Sequence, residues 1–286
     1  MKECQICANK KFRFLFKKNG FIFEKCRHCG FIRINPQPTD AQLDQIYNSS
    51  YFSNWGGSEK IFKAMKEKTF SYLLSFLPNM TKPSALLDIG AATGILMELA
   101  QNMGYDAYGI EAAKDGAQTI KEKFGASKIF SGYFDENFNT NIFPSFDVIV
   151  MSDLLEHVKD PNLVLDKAYE MLKKDGYLLI TTPDTSSLSC HILGKNWNHF
   201  STEHLFYFSR KNISQILIKH KFCPKFIKPL PKFFNIAYLS AMLNFNKSFI
   251  NKCFRLLFSL CPKFLKFYCL KLKTGQMMIL SQKAAK

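Results

Sequence analysis

The sequence predicts an α/β protein: a doubly wound, mostly parallel sheet, preceded by a small four-cysteine lobe and carrying a basic helical insertion near the C-terminus. Three observations point there. From residue 85 onward, short apolar runs alternate with amphipathic stretches, as strands alternate with covering helices. The strand-like runs are apolar almost throughout, which suits a sheet buried on both faces. Two Cys-x2-Cys pairs, Cys4/Cys7 and Cys26/Cys29, stand eighteen residues apart near the N-terminus.

Residues 1–37 read as a zinc-ribbon-like lobe. Two residues between thiols let one tight turn present both sulfurs to one ion, and two such turns complete a tetrahedron. The text between the pairs reads as a hairpin around Asn19-Gly20, and Gly30 suits a turn of positive φ. Cys4, Cys7, Cys26 and Cys29 are the predicted ligands of a structural Zn2+; four free thiols and an iron–sulfur cluster are the alternatives, with His28 a weaker rival donor. Asn35-Pro36-Gln37-Pro38 closes the lobe. Residues 38–84 read as a helical lead-in with a helix over 59–77.

In 85–286, strands are expected at 85–89, 107–111, 128–131, 146–152 and 177–182, with helices at 95–102, 113–124 and 162–172. A helix near 211–220, a strand near 222–227 and a final edge strand at 275–282 continue the pattern. Residues 231–270 interrupt it with Phe-, Leu- and Lys-rich text that reads as a basic amphipathic helical insertion. Its longest uncharged run, 233–246, is short of the roughly 20 residues that span a bilayer. The segment reads either as a helix in the membrane interface or as a helical cap or dimer contact.

A chain of 286 residues can hold one large domain and a small one. The N-terminal text has no signal-type apolar region, so a cytoplasmic location and reduced or metal-bound cysteines are expected. The net charge of +16 is confined to one region: from His204 onward there is no Asp or Glu, against fourteen Lys and two Arg. Such asymmetry suggests an anionic partner, namely a membrane surface, nucleic acid or phosphorylated substrate. A solvated basic face is the plain alternative.

Residues 86–94 read as a strand, a tight Gly-containing loop and the start of a helix. A dinucleotide site wants G-x-G-x-x-G to seat a pyrophosphate. Here Gly90, Ala92 and Gly94 occupy the loop, and Ile95 stands where a third glycine would be. Asp88, just before the loop, suits an ammonium better than a pyrophosphate. Glu111 ends the next strand, where a carboxylate can accept both ribose hydroxyls.

With these features the sequence resembles the class I S-adenosylmethionine (SAM)-dependent methyltransferases. More narrowly, it resembles bacterial small-molecule methyltransferases with an N-terminal zinc-binding segment. The likeness rests on Cys26-x-x-Cys29-Gly30, Asn35-Pro36-x-Pro38, Leu87-Asp88-Ile89-Gly90 and Phe146-Asp147-Val148-Ile149. It continues in Leu155-Glu156-His157-Val158-x-Asp160-Pro161, Gly176-Tyr177-Leu178 and Trp197-x-x-Phe200-x-x-Glu203-His204-Leu205. The resemblance implies a seven-stranded Rossmann-like methyltransferase sheet and SAM as cofactor. Asp88, Gly90 and Gly94 would line its methionine and ribose, and Glu111 would bind the ribose hydroxyls. Ala92 departs from the usual glycine. No acidic residue follows the third strand in the usual place, which leaves Tyr133 or Phe134 to stack on the adenine, with Asp135 a weaker substitute. Met151, Ser152 and Asp153 would end the fourth strand facing the sulfonium.

Methyl transfer is an in-line displacement on an already activated donor. The protein must orient the acceptor and, for a hydroxyl, remove a proton. His157 is the expected base, with His199 and His204 in a loop expected over the substrate. A His157 that caps the helix starting near Asp160-Pro161, and an aromatic loop with satisfied histidines, are the plain alternatives. Relatives of this kind act on sugars of surface polysaccharides and on quinone precursors. The expected acceptor is therefore a hydroxyl of a sugar or related metabolite, nucleotide- or lipid-linked, with peripheral contact to the inner face of an anionic membrane through 231–270. An RNA methyltransferase using the zinc lobe and basic region is the second reading; the Asn/Asp-Pro-Pro-aromatic box is missing at Met151-Ser152-Asp153-Leu154. A non-catalytic membrane-associated adaptor is the third, and the complete Asp88/Gly90/Gly94/Glu111 set counts against it.

Overall fold

The computed structural model describes residues 3–39, 42, 59–78, 84–235 and 268–284. The chain begins with β1 (Phe12–Lys18) and β2 (Phe21–Cys26), an antiparallel hairpin turned at Asn19-Gly20, followed by β3 (Ile32–Asn35). Helix α1 (Glu59–Leu74) leads into the alternating part: β4 (Ser84–Ile89), α2 (Ile95–Asn102), β5 (Tyr105–Glu111), α3 (Lys114–Phe124), β6 (Ile129–Ser131), β7 (Phe146–Ser152), α4 (Pro161–Met171) and β8 (Leu172–Pro183). After it come α5 (Leu188–Leu193), β9 (Phe206–Tyr207), α6 (Arg210–Lys219), β10 (Phe222–Asn235) and β11 (Cys269–Lys283).

The large sheet has seven strands in the order β10-β11-β8-β7-β4-β5-β6. Strands β4 to β8 pair in parallel, and β10 and β11 run antiparallel at one side. This is the mostly parallel, Rossmann-like methyltransferase sheet that the sequence predicts. Side chains alternate across it. Leu87, Ile89, Ile149, Met151 and Ile180 face the layer of α4 and α6, while Leu86, Val148, Val150 and Leu179 face that of α1 and α2. Strand β4 pairs with β5 on one side and β7 on the other, so chain order reverses there. At such a switch point the carboxyl ends of the strands leave a crevice for a ligand.

Local chemistry fixes the starts of two helices that cover the sheet. Asp160 caps α4 by accepting from the amides of Asn162 and Leu163, with Pro161 in the first turn. Ser209 and Asn212 form a capping box at the start of α6.

Three expectations change. The final strand is not an edge: β11 lies between β10 and β8 and is buried from Met277 to Ser281. The edge is β10, where Pro224, Pro229 and Pro231 lack the donors that an inner strand needs. The insertion expected over 231–270 is strand at both ends, in the last residues of β10 and the first of β11; its remainder, 236–267, lies outside the described residues. The lobe expected over 1–37 is not closed on itself. Its sheet runs β1-β2-β3-β9, and β9 comes from residues beyond the five parallel strands.

Candidate active site

The four N-terminal cysteines converge as predicted. One sulfur of each lies within 4.8 Å of the others, with Cys4–Cys29 at 3.5 Å and Cys7–Cys26 at 3.7 Å. Thiolates about 2.3 Å from a zinc ion at tetrahedral angles would sit about 3.8 Å apart, so the donor set fits that ion without rearrangement. The close contact sets the thiols against one another: a hydrogen bond from Cys29 pulls Cys4 down to about 5, and the same contact pushes Cys29 well up. The four sulfurs together form a donor set that could hold a metal ion.

At the carboxyl ends of β4 and β5 the loop and its two carboxylates come together. Gly90 and Gly94 adopt φ of 83° and 79°, and Ala92 also lies in the left-handed region at 50°. The amides of Gly90 and Ala91 donate to the carbonyl of Ile110 and anchor the loop on β5. Glu111 accepts from the Ala92 amide through Oε2 and from the Ala113 amide through Oε1, both at 2.7 Å. It therefore ties the loop to the start of α3. Gly116 makes this approach possible, since a Cβ there would meet the Ala92 carbonyl oxygen at 2.4 Å. Asp88 is 3% exposed, and its Oδ1 is buried with no hydrogen-bond partner. Burial, with the Glu111 charge beside it, pushes its carboxyl up to about 8. An orphaned carboxylate oxygen beside a left-handed glycine loop fits the ammonium end of SAM.

The adenine side differs from expectation. Phe134 turns into the core against Phe138, ring centroids 4.8 Å apart, whereas Tyr133 is 65% exposed. Tyr133 is the ring available at that surface.

The histidines predicted as catalytic form one cluster. His157 and His204 meet edge to face at 4.6 Å between centroids, and His199 stacks on His204 at 6.4 Å. Nδ1 of His157 faces the carbonyl of Glu203 at 3.2 Å, and Nδ1 of His204 faces that of His199 at 2.8 Å. With Nδ1–H donating to a carbonyl, each ring carries its lone pair on Nε2. Burial pulls His157 and His199 down to about 4 and His204 well down, so all three are neutral at pH 7. Burial also pushes Glu156 well up, and both its carboxylate oxygens lack a hydrogen bond. Glu156, His157 and His204 each bring one donor atom within 4.8 Å of the others. These are donors of the kind that hold a proton or a first-row divalent ion.

Asp153 directly follows β7. Its backbone is left-handed, φ 54°. Its Oδ1 accepts from the Thr181 hydroxyl at 2.9 Å and the Gln276 amide at 3.0 Å, and its Oδ2 faces Lys232 Nζ at 3.3 Å. Burial pushes Asp153 up, but Lys232, Lys66 and Thr181 outweigh it and hold the carboxyl well below the usual range. The group lines a cleft with Lys66, Lys232, Ser152, Thr181 and Gln276. Sequence reasoning missed Lys66, Lys232 and Gln276. Only Gln276 left a signal, as the polar residue after Gly275 that opens the apolar run Met277–Leu280.

Sheet order, glycine loop and paired carboxylates together give the chain the fold of the class I SAM-dependent methyltransferases. The model for the family described as a methyltransferase domain matches residues 61–224, more than half of the chain, and the chain belongs to that family. It is similar to the mitochondrial ubiquinone biosynthesis O-methyltransferase of Schizosaccharomyces pombe, 24% identical over 135 residues that cover 45% of this chain and 49% of that one. It is likewise similar to the ubiquinone biosynthesis O-methyltransferase of Bordetella avium, 25% identical over 155 residues, 52% of this chain and 64% of that one. The chain thus spans 49% and 64% of the length of these curated relatives, less than two thirds of either. Among solved structures it shares its fold with the magnesium protoporphyrin IX methyltransferase of Synechocystis PCC 6803 (TM-score 0.52, 14% identity, 86% of this chain and 100% of that one). A SAM-dependent methyltransferase from Archaeoglobus fulgidus gives a TM-score of 0.50 at 19% identity, covering 76% and 94%.

Proposed function

We propose that the protein transfers the methyl group of SAM to a hydroxyl of a small-molecule or glycan-type acceptor, with His157 taking the proton. The observation that carries this reading is the neutral histidine cluster one turn beyond β7, at the same sheet edge as Asp88 and Glu111. The curated relatives named above are O-methyltransferases by name, which supports a hydroxyl as acceptor.

Bound SAM supplies an electrophilic methyl group on a sulfonium. Asp88 holds the ammonium end, Glu111 offers its remaining lone pairs to the ribose hydroxyls, and the Gly90–Gly94 turn lets the backbone approach closely. His157 takes the acceptor proton on Nε2 while Glu203 fixes the ring through Nδ1. A base held near 4 is weak, but an ether oxygen that has gained a methyl group carries a very acidic proton, so it suffices. His204 and Glu156 keep His157 in a dry pocket where orientation, rather than basicity, supplies most of the rate.

The same reading makes the four-cysteine ion a structural zinc that braces the histidine segment. It places the protein in the cytoplasm, with the basic C-terminal third drawn to an anionic membrane or a phosphorylated acceptor. No helix among the described residues is long and apolar enough to cross a membrane.

The test is transfer of label from methyl-labelled SAM into an extract of the source organism, separated into glycan, lipid, small-molecule, RNA and protein fractions. Label in glycan, lipid or small molecules supports the proposal. Label confined to RNA or protein overturns it.

A further inference from the structure

Helix α5 is short, and its two sides differ. Cys190 turns inward and joins the buried cluster of Trp197, Phe200 and Tyr207. On the outer side Leu188 and Ile192, one turn apart, are 75% and 73% exposed, and Leu193 next to them is 45% exposed. Single exposed apolar side chains are ordinary on a protein surface, but three within six residues form a patch.

Exposed apolar side chains recur on the start of β11, which α5 touches. Ser189 donates to the Thr274 carbonyl at 3.4 Å, and a Cβ on Gly275 would meet the Ser189 hydroxyl at 2.3 Å. Two residues before Thr274, Leu272 is exposed, and so is Tyr268 just ahead of the strand.

Charge decides what such a surface meets. From Thr185 to Lys286 the only Asp or Glu is Glu203, and it lies against His204 at 4.0 Å. Asp184, just before this stretch, is buried and taken by Arg210 at 2.8 Å. Lys195, after α5, and Lys273, after Leu272, are exposed. A second copy docked two-fold through this patch would set these ammonium groups against their own kind, with no carboxylate to answer them. Leucine and isoleucine side chains give a nucleic-acid backbone nothing to bind. An anionic bilayer satisfies both halves of the surface: its headgroups attract the lysines, and its acyl boundary takes the apolar side chains.

We propose that α5 and the start of β11 dock the protein on an anionic lipid bilayer. Leu188, Ile192 and Leu193 enter the boundary between headgroups and acyl chains, and Lys195 and Lys273 meet the headgroups. Most of this surface precedes the basic stretch 231–270, and α5 itself carries no Lys or Arg. Ser189 accepts from the indole Nε1 of Trp197 at 3.2 Å, and Trp197 meets His199 edge to face at 4.8 Å. Docking therefore brings the histidine segment to the bilayer, where a lipid-borne acceptor lies. That consequence rests on the methyl-transfer reading; the docking itself does not.

The test is co-sedimentation of the full chain with vesicles of phosphatidylcholine alone and of phosphatidylcholine mixed with phosphatidylglycerol. The chain is expected to sediment with the mixed vesicles, to bind the neutral ones far less, and to be released by high salt. The double variant Leu188→Ser/Ile192→Ser should lower partitioning by about tenfold or more, with SAM affinity within a few-fold of wild type as the check on folding. Lys195→Gln/Lys273→Gln should weaken binding to the mixed vesicles alone. No sedimentation with mixed vesicles overturns the proposal. So does a Leu188→Ser/Ile192→Ser chain that sediments like the wild type, which would put the contact elsewhere. A wild-type dimer that this double variant turns into a monomer, without vesicle binding by either, would assign the patch to a second copy and also overturn it. Methyl transfer from labelled SAM, measured without vesicles, stands or falls separately.

Discussion

The main-chain amide of Leu205 donates to the carbonyl of Glu156 at 2.8 Å. That bond joins the two segments that carry the clustered histidines, and it is one link in a longer chain. Phe206 donates to the same carbonyl, and the carbonyl of Leu205 accepts from Ile34 of β3. Asn212 of α6 donates to the carbonyl of Cys29 at 2.9 Å. The four-cysteine lobe, the His204 segment and the Glu156-His157 turn are therefore one hydrogen-bonded unit.

Loss of the metal at the cysteines should thus reach the active site. The purified chain is expected to hold one zinc ion at these cysteines. Cys26→Ser should weaken metal binding and lower stability by on the order of a few kcal/mol. Turnover should fall with metal content, measured by emission spectrometry beside the thermal midpoint. Full turnover in metal-free protein contradicts the coupling.

Cofactor affinity should depend on pH through Asp88. Its carboxyl is pushed up to about 8 by burial and by Glu111, while an ammonium beside it favours the charged form. Below about pH 8, binding SAM must therefore expel a proton from Asp88, and affinity should rise with pH by up to about tenfold per unit. Calorimetry in two buffers of different ionisation enthalpy measures the proton released. Asp88→Asn should bind SAM more weakly and show no such release.

The loop itself is finely fitted on one side and strained on the other. Gly116→Ala would drive a Cβ to 2.4 Å from the Ala92 carbonyl oxygen, which is backbone and cannot yield cheaply. A loss of about 1–3 kcal/mol is expected, with loss of SAM affinity. Ala92→Gly should act in the opposite sense. Left-handed backbone costs alanine roughly 1–2 kcal/mol, and the added freedom of the unfolded glycine returns about 0.5–1 of it. The variant should be more stable by up to about 1 kcal/mol, read from denaturant unfolding.

What was legible in the sequence was local. Asp88, the glycine turn and Glu111 follow one another across a single strand–helix–strand unit, so their order identifies the cofactor edge. The cysteine pairs carry their spacing with them. The cleft beside Asp153 was not legible, because Lys232 reaches Asp153 from 79 residues away and Lys66 and Gln276 come from elements far apart in the chain. The pairing of β3 with β9 was hidden in the same way. An apolar run such as 277–280 signals a strand without saying which neighbours flank it, so β11 read as an edge. The prolines of β10 were the usable clue, since they suit only the outer position. Phe134 misled because an aromatic after a strand serves a ring stack and a core equally well.

The central claim is that the Asp88–Glu111 loop and the His157 cluster are two halves of one methyl-transfer site. Its most direct test is SAM affinity and methyl-transfer rate measured side by side for the wild type, Asp88→Asn and His157→Ala. Asp88→Asn should lose cofactor affinity. His157→Ala should bind SAM within a few-fold of wild type and turn over about 10²–10⁴-fold more slowly. A His157→Ala enzyme that transfers methyl at the wild-type rate contradicts the account.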